Sequence, residues 1–198
     1  MHSLLKKILS VLLVLLVAAG GWYFFYWQNT PAYAAGEIQQ AVHKKDWALF
    51  QKRVNLEKVY SYALDDILEE LKLDGKSEDR LAASLLKSIK KEVVKELIHQ
   101  TEIKFKEKAP TSRSLLDKPI QTLTAYVGSS ALSLTDIFNI EEKDGQTIAH
   151  VKLHDKDLNK DFTWQVQLEK DVNGNWNATR IVNLKEYLKE RLDTVRSK

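Results

Sequence analysis

Residues 162–169 read FTWQVQLE. Phe162, Trp164, Val166 and Leu168 alternate with Thr163, Gln165, Gln167 and Glu169. A period of two sends successive side chains to opposite faces, so this segment is predicted to be an antiparallel strand with one face on a core and one in water. Its neighbours keep the same period. Ala149, Val151 and Leu153 alternate within residues 147–153, and residues 137–142 and 176–182 complete about four strands. Between them, Lys143-Asp144-Gly145-Gln146 and Asn173-Gly174-Asn175 are hairpin chemistry, because Asp, Asn and Gly accept the positive φ that tight turns require.

Before residue 130 the period is that of helices. Thr30-Pro31 is a helix start: Thr can cap, and Pro at the first helical position loses no needed hydrogen bond. Ile38, Ala41 and Val42 then share a face. Asp46 is expected to cap a short helix through Trp47, Leu49 and Phe50, and Asn55 the next one. That next helix carries the cleanest amphipathic run, Val59, Tyr60, Ala63, Leu64, Ile67, Leu68 and Leu71, ended by Asp74-Gly75. A long helix is expected over residues 77–106, with Leu81, Leu85, Ile89, Val93 and Leu97 in one stripe. Lys87, Lys91 and Lys95 line another face, best read as solvated, with anionic lipid or wall polymer as the alternative. Residues 109–114 are expected to form a loop, and residues 115–127 a helix interrupted near its start by Pro119. A last helix covers residues 184–194, with Tyr187, Leu188 and Leu192 together. Helices followed by a strand meander make an α+β domain, with several helices packed on one face of the sheet. A strongly curved sheet would give the half-cone of cystatin-like and nuclear-transport-factor-like folds, with a pocket between cone and helices.

Ahead of this domain, residues 8–27 read ILSVLLVLLVAAGGWYFFYW and hold no charge. Twenty residues at about 1.5 Å each span about 30 Å, a bilayer's hydrocarbon thickness. Six aromatics, Trp22 to Trp27, close the run, as suits the membrane–water interface. The expectation is a single transmembrane helix that serves as a signal anchor. Residues 1–28 are cytoplasmic stub and anchor, and residues 29–198 the extracytoplasmic domain. Lys6 and Lys7 put the N-terminus in the cytoplasm. The alternative is a cleaved signal peptide with Ala32-Tyr33-Ala34 as its site, although the apolar run is longer than the usual ~7–15 residues.

The chain has 198 residues, 168 of them after residue 30, enough for one domain with a real core. Lys6 and Lys7 are the only charges in the first 30. Of the 30 basic residues, 28 therefore face all 27 acidic ones, a net charge of +1 for the domain. A near-neutral domain has no electrostatic reason to seek nucleic acid. There is no cysteine, which excludes disulfides, thiolate metal sites and Cys nucleophiles.

One pattern joins the anchor to the domain. It runs Thr30-Pro31-x-Tyr33, then Ala41-Val42 with Asp46, Phe50, Val54-Asn55-Leu56 and Val59, and ends in Trp176-x-x-Thr179-x-Ile181. In this the chain resembles an uncharacterised bacterial family of membrane-anchored proteins known as a domain of unknown function. Members often carry Asp where this chain has Asn55; both residues cap helices. The resemblance implies membrane anchoring and no particular activity.

The remaining motifs are weighed by what they lack. Gly75-Lys76-Ser77 ends like a phosphate loop, but Glu70 stands where that loop needs glycine. Asp155, Asp157, Asn159 and Asp161 alternate like calcium ligands. The sixth and twelfth positions are Lys160 and Val166 rather than Gly and Glu, so a solvated hairpin loop is expected. His150 and His154, four residues apart on a strand, are about 13 Å apart, too far for one metal ion. His43 and His99 have no second partner in sequence. Asp65, Asp66, Glu69 and Glu70 stack opposite the apolar face and are expected to be wet. Asn177-Ala178-Thr179 fits a glycosylation acceptor. No triad or nucleophile elbow is present.

No catalytic, cofactor-binding or metal-binding residue is therefore assigned, and no cofactor is expected. The expected function is a non-catalytic module held on the bilayer by residues 8–27. It would bind a small ligand or an envelope or membrane protein partner, and no nucleic acid. The alternatives are an enzyme with a pocket in a cystatin-like fold, or a structural subunit of a membrane complex. A convergent Asp/His or Tyr/Asp pair with perturbed pKa values in the pocket would favour the enzyme.

Overall fold

A computed structural model of the chain describes residues 2–73, 84, 86–106 and 132–196. The expected loop 109–114, the helix 115–127, the Asp74-Gly75 stop, the Gly75-Lys76-Ser77 motif and most of residues 77–85 lie outside the described residues.

The helical half begins with α1, His2–Phe25, followed by a 3-10 turn, Trp27–Asn29. Ile8–Asn29 is long and apolar enough to cross a membrane, with mean hydropathy 2.3 and none of it buried against the domain. Three helices then start where the sequence places caps. In α2, Pro31–Lys44, Thr30 Oγ1 accepts the Tyr33 N–H at 3.2 Å. In α3, Trp47–Arg53, Asp46 accepts the Leu49 N–H at 3.0 Å. In α4, Leu56–Leu73, Asn55 accepts the Lys58 N–H at 3.1 Å. Each bond satisfies an N–H that the first helical turn otherwise leaves open.

The long helix expected over residues 77–106 differs. Its described part is α5, Lys90–Phe105, and the turn before it breaks at Ile89, with φ −108 and ψ 18 and no capping side chain. Ile89 still packs against the core, so the apolar stripe runs through the break and conceals it in the sequence. Lys90, the next residue, reaches both carboxylate oxygens of Asp65 on α4 at 2.8 Å.

The strands are β1 Leu132–Lys143, β2 Gln146–Asp155, β3 Lys160–Lys170 and β4 Trp176–Ile181, and α6 Leu184–Arg196 follows. They form one open antiparallel sheet in the order β1-β2-β3-β4. Strand β1 starts five residues before the expected 137. Asp144 and Gly145, with φ 53 and 75, make the β1–β2 turn with two consecutive positive φ values, the arrangement that matches strand twist. Gly174, at φ 81, sits in the β3–β4 turn. Register shifts leave Thr135 and Phe138 extra on β1 and Thr179 extra on β4. Such bulges bend and twist a strand locally. Beyond the end of β4, Asn183 continues the ladder with its side chain: Oδ1 accepts the Gln165 N–H at 2.8 Å and Nδ2 donates to Thr163 O at 2.9 Å.

The inward face is the predicted one. Phe162 lies opposite Leu153, Trp164 opposite Val151 and Val166 opposite Ala149. Helices α4, α5 and α6 cover it. Leu64 and Ile67 share a core with Val93, Val94, Phe162, Leu184, Tyr187 and Leu188, and Trp164 packs against them. A second cluster, Trp47, Val54, Leu56, Ala149, Leu168 and Ala178, joins α3 and the start of α4 to the sheet. Phe105 from α5 packs at a tilt beside Trp47 and Phe50 there, with centroids 5.5 and 4.5 Å away.

Candidate functional site

Three stretches far apart in sequence, around Tyr33, Arg53–Asn55 and Trp176–Ala178, meet at one end of the sheet. Val54 forms a parallel bridge with Ala178, and the Asn55 N–H donates to Ala178 O at 2.9 Å. The α3–α4 corner thus occupies the outer edge of β4, which would otherwise offer open backbone groups. Arg53, buried, donates from Nε to Glu37 at 2.5 Å and from Nη1 to Trp176 O at 3.4 Å, and its guanidinium lies 5.8 Å from the centre of the Tyr33 ring. Burial, with Glu37 beside it, pushes the Tyr33 phenol up. Trp176 completes the junction: its indole N–H donates to Asn29 O at 2.9 Å, immediately after the apolar helix.

A groove of about 360 Å³ opens beside this junction. Gln51, Lys52, Asn55, Asp171 and Asn177 supply polar walls over an apolar floor. Asn55 uses its oxygen to cap α4, which leaves its amide N–H₂ for a ligand. Asp171 is engaged by its own turn: Oδ1 accepts the N–H groups of Asn173 at 2.8 Å and Asn175 at 2.9 Å. Those bonds, the Asn175 N–H foremost, hold its carboxyl below the usual range. The groove therefore offers amides, one lysine and a fixed carboxylate, a set suited to hydrogen-bonding a polar ligand rather than to moving its protons.

The acidic residues of the sequence reading fall differently. Asp155 is not in a solvated loop but fully buried. It accepts the backbone N–H of Asp157 at 2.9 Å and of Leu158 at 3.2 Å, the Tyr187 hydroxyl at 3.2 Å, and an Arg191 bond. Burial alone would raise its pKa; the Arg191 guanidinium and the two N–H groups outweigh that and hold it low. Asp157 meets the other Arg191 nitrogen at 2.9 Å, and Asp161 meets Lys152 at 2.9 Å and His154 at 2.8 Å. Asp155 and Asp157 thus share one guanidinium, that of Arg191, while Asp161 is taken by Lys152 and His154. Their arrangement locks α6 onto the β2–β3 turn. Tyr187 and Asp155 are a Tyr/Asp pair with shifted pKa values, the phenol pushed up chiefly by burial. They lie within the core, however, and the groove is lined by other residues.

Asp66 is likewise buried rather than wet. Its expected solvated face is the seam between α4 and the β4–α6 corner. Arg180 and Lys185 approach it only to 3.5 and 3.7 Å, and Glu69 takes the closer Lys185 bond at 2.6 Å. Burial therefore dominates and pushes the Asp66 carboxyl up. The native state then holds this proton more tightly than the unfolded chain, so stability declines as pH rises from the unfolded value, about 3.9, through the raised one. Asp66→Asn should remove that decline and leave neutral-pH stability within about 1 kcal/mol of the parent. Denaturant melts from pH 4 to 8 measure this; a larger loss at neutral pH would mean the charge itself holds the seam.

His150 and His154 do share the outer strand face, but each serves a carboxylate: Glu141 at 3.0 Å and Asp161 at 2.8 Å. His43 and His99 are exposed on α2 and α5, as are Lys87, Lys91 and Lys95 in the turn before α5 and on α5. In Asn177-Ala178-Thr179, Ala178 and Thr179 are buried within β4. The two buried arginines, Arg53 and Arg191, were not singled out in the sequence. Arg191 had a signal, since it lies one turn after Tyr187 on the apolar stripe of α6. Arg53 had none, being one basic residue among several at the end of a short helix.

No family model, curated protein or solved structure matches this chain.

Proposed function

We propose that the chain is a single-pass membrane protein of the membrane-anchored kind that residues 30–33, 41–59 and 176–181 resemble. Its N-terminus lies in the cytoplasm and its α+β domain outside. The domain binds a small polar ligand or envelope component in the groove lined by Gln51, Lys52, Asn55, Asp171 and Asn177, and performs no chemistry on it. The observation that supports this most is the position of the groove beside the Trp176–Asn29 bond, where an apolar helix of membrane length ends. What supports the non-catalytic part is where several of the carboxylates go. Glu37 pairs with Arg53 and Asp155 with Arg191, and Asp171 is fixed by its own turn. General acid–base work needs a group free to gain or lose a proton within reach of a bound molecule.

Native mass spectrometry of the full chain, extracted from its own membranes, tests the reading. The parent should carry a bound mass. Gln51→Trp, an exposed α3 position on the groove wall, should lose it while melting within a few degrees of the parent. Equal occupancy in both proteins, or no bound mass in the parent, would contradict the proposal.

A further inference from the structure

We infer that the tip of the β3–β4 hairpin, residues 171–175, is a second membrane contact that seats in the headgroup layer beside α1. This rests on the anchor reading above. If residues 8–27 fill the hydrocarbon core, Asn29 stands two residues of 3-10 turn, about 4 Å, beyond it. The headgroup layer on each side is about 5–7 Å thick, so the Asn29 carbonyl lies inside it. The Trp176 indole N–H bonds that carbonyl at 2.9 Å, so the first residue of β4 is held at the same depth. Tryptophan suits that layer, with an apolar body and one donor for a polar partner.

The tip adjoining Trp176 has the make-up of an interfacial contact. Val172 is fully exposed, the most exposed of the large apolar residues among the described ones. Lys170 holds its ammonium 5.2 Å from the centre of the Trp176 ring, a lysine beside an interfacial aromatic. The turn is stiff, because Asp171 accepts three N–H groups from Asn173 and Asn175, and the Gly174 N–H donates to Asp171 O at 3.0 Å. A rigid loop presents Val172 without an ordering cost at the membrane. An exposed valine in water gains nothing; in the interface it loses apolar contact with water. The partner is the lipid surface itself. In the antiparallel meander the β2–β3 turn lies at the opposite end of strands about ten residues long, roughly 33 Å from the tip.

The chain has no cysteine, so single labels are unambiguous. The full chain is reconstituted in phosphatidylcholine–phosphatidylglycerol vesicles with a fluorophore on Asn173→Cys, Lys156→Cys or Leu15→Cys. Quenching is read with nitroxide on the lipid headgroup or on the acyl chain. Headgroup nitroxide should quench the label at 173 at least threefold more than the label at 156. Val172→Asp in the Asn173→Cys background should cut that quenching at least twofold. Equal quenching at 173 and 156, with the label at 15 still quenched from the acyl chain, would overturn the tip contact and leave the anchor standing. Strong quenching at 173 that Val172→Asp leaves unchanged would also overturn it, since the tether alone would then hold the tip there. Loss of acyl-chain quenching at 15 would overturn the anchor reading and this inference with it.

Discussion

Arg191→Met should destabilise the domain by about 3–5 kcal/mol, the usual cost of leaving a buried charge without its partner. Asp155 is fully buried, and Arg191 is the cation that meets it. Methionine fills similar space and removes only the guanidinium. The backbone N–H groups of Asp157 and Leu158 and the Tyr187 hydroxyl still reach the carboxylate, but none carries a positive charge. Asp157→Asn is the control. Asp157 is mostly exposed, and exposed pairs contribute at most about 1 kcal/mol. The two proteins should also differ with pH. In the parent the folded Asp155 pKa lies below the unfolded value, so the pair's contribution is present above about pH 3.9 and lost as pH falls through the folded pKa. In Arg191→Met, burial has no cation to oppose it, so that acid-side rise should flatten or reverse. A loss below about 1 kcal/mol with an unchanged acid limb would show that Arg191 does not hold Asp155.

Trp164→Ala should cost roughly 3 kcal/mol, the low end for a large aromatic because the ring is half-buried. Its ring meets Tyr187 edge-on at 5.6 Å and packs against the Leu64, Phe162 and Leu188 core. The indole N–H is buried without a partner among the described residues, which offsets part of what the packing contributes. Gln165→Ala should cost well under about 1 kcal/mol, because what Gln165 supplies to the fold is its backbone: N–H to Asn183 and O to Val182. Urea melts of the two variants decide the register. A large effect at Gln165 with a small one at Trp164 would mean the strand faces are exchanged, since a one-residue slip swaps them.

Features with a short-range physical cause were legible in the sequence. Thr30, Asp46 and Asn55 cap helices because a side-chain oxygen reaches an N–H three residues on, a relation visible in one dimension. The β3 alternation and the Asp144-Gly145 turn are local in the same sense. The charged groups were misread because their environment is set by what packs on them. Asp66 lies beside Asp65 and opposite an apolar stripe, so it read as wet. It is dried by the β4–α6 corner more than a hundred residues later. Asp155 read as part of a solvated hairpin loop, while Arg191 on α6 decides its role. The break at Ile89 was hidden because the residue keeps its place in the stripe while its backbone leaves the helix. The convergence of Tyr33, Arg53 and Trp176 needed the fold, since no spacing rule links residues 33, 53 and 176.

The central claim is that an uncleaved helix holds this domain outside the cytoplasm at the membrane. Protease treatment of intact spheroplasts, with intact-mass analysis of what remains in the membrane, tests it most directly. The domain should be digested from outside, and a membrane fragment starting at the original N-terminus and containing residues 8–27 should survive. Full-length protein that resists digestion until the cells are lysed, or a released species beginning at Ala35, would contradict it.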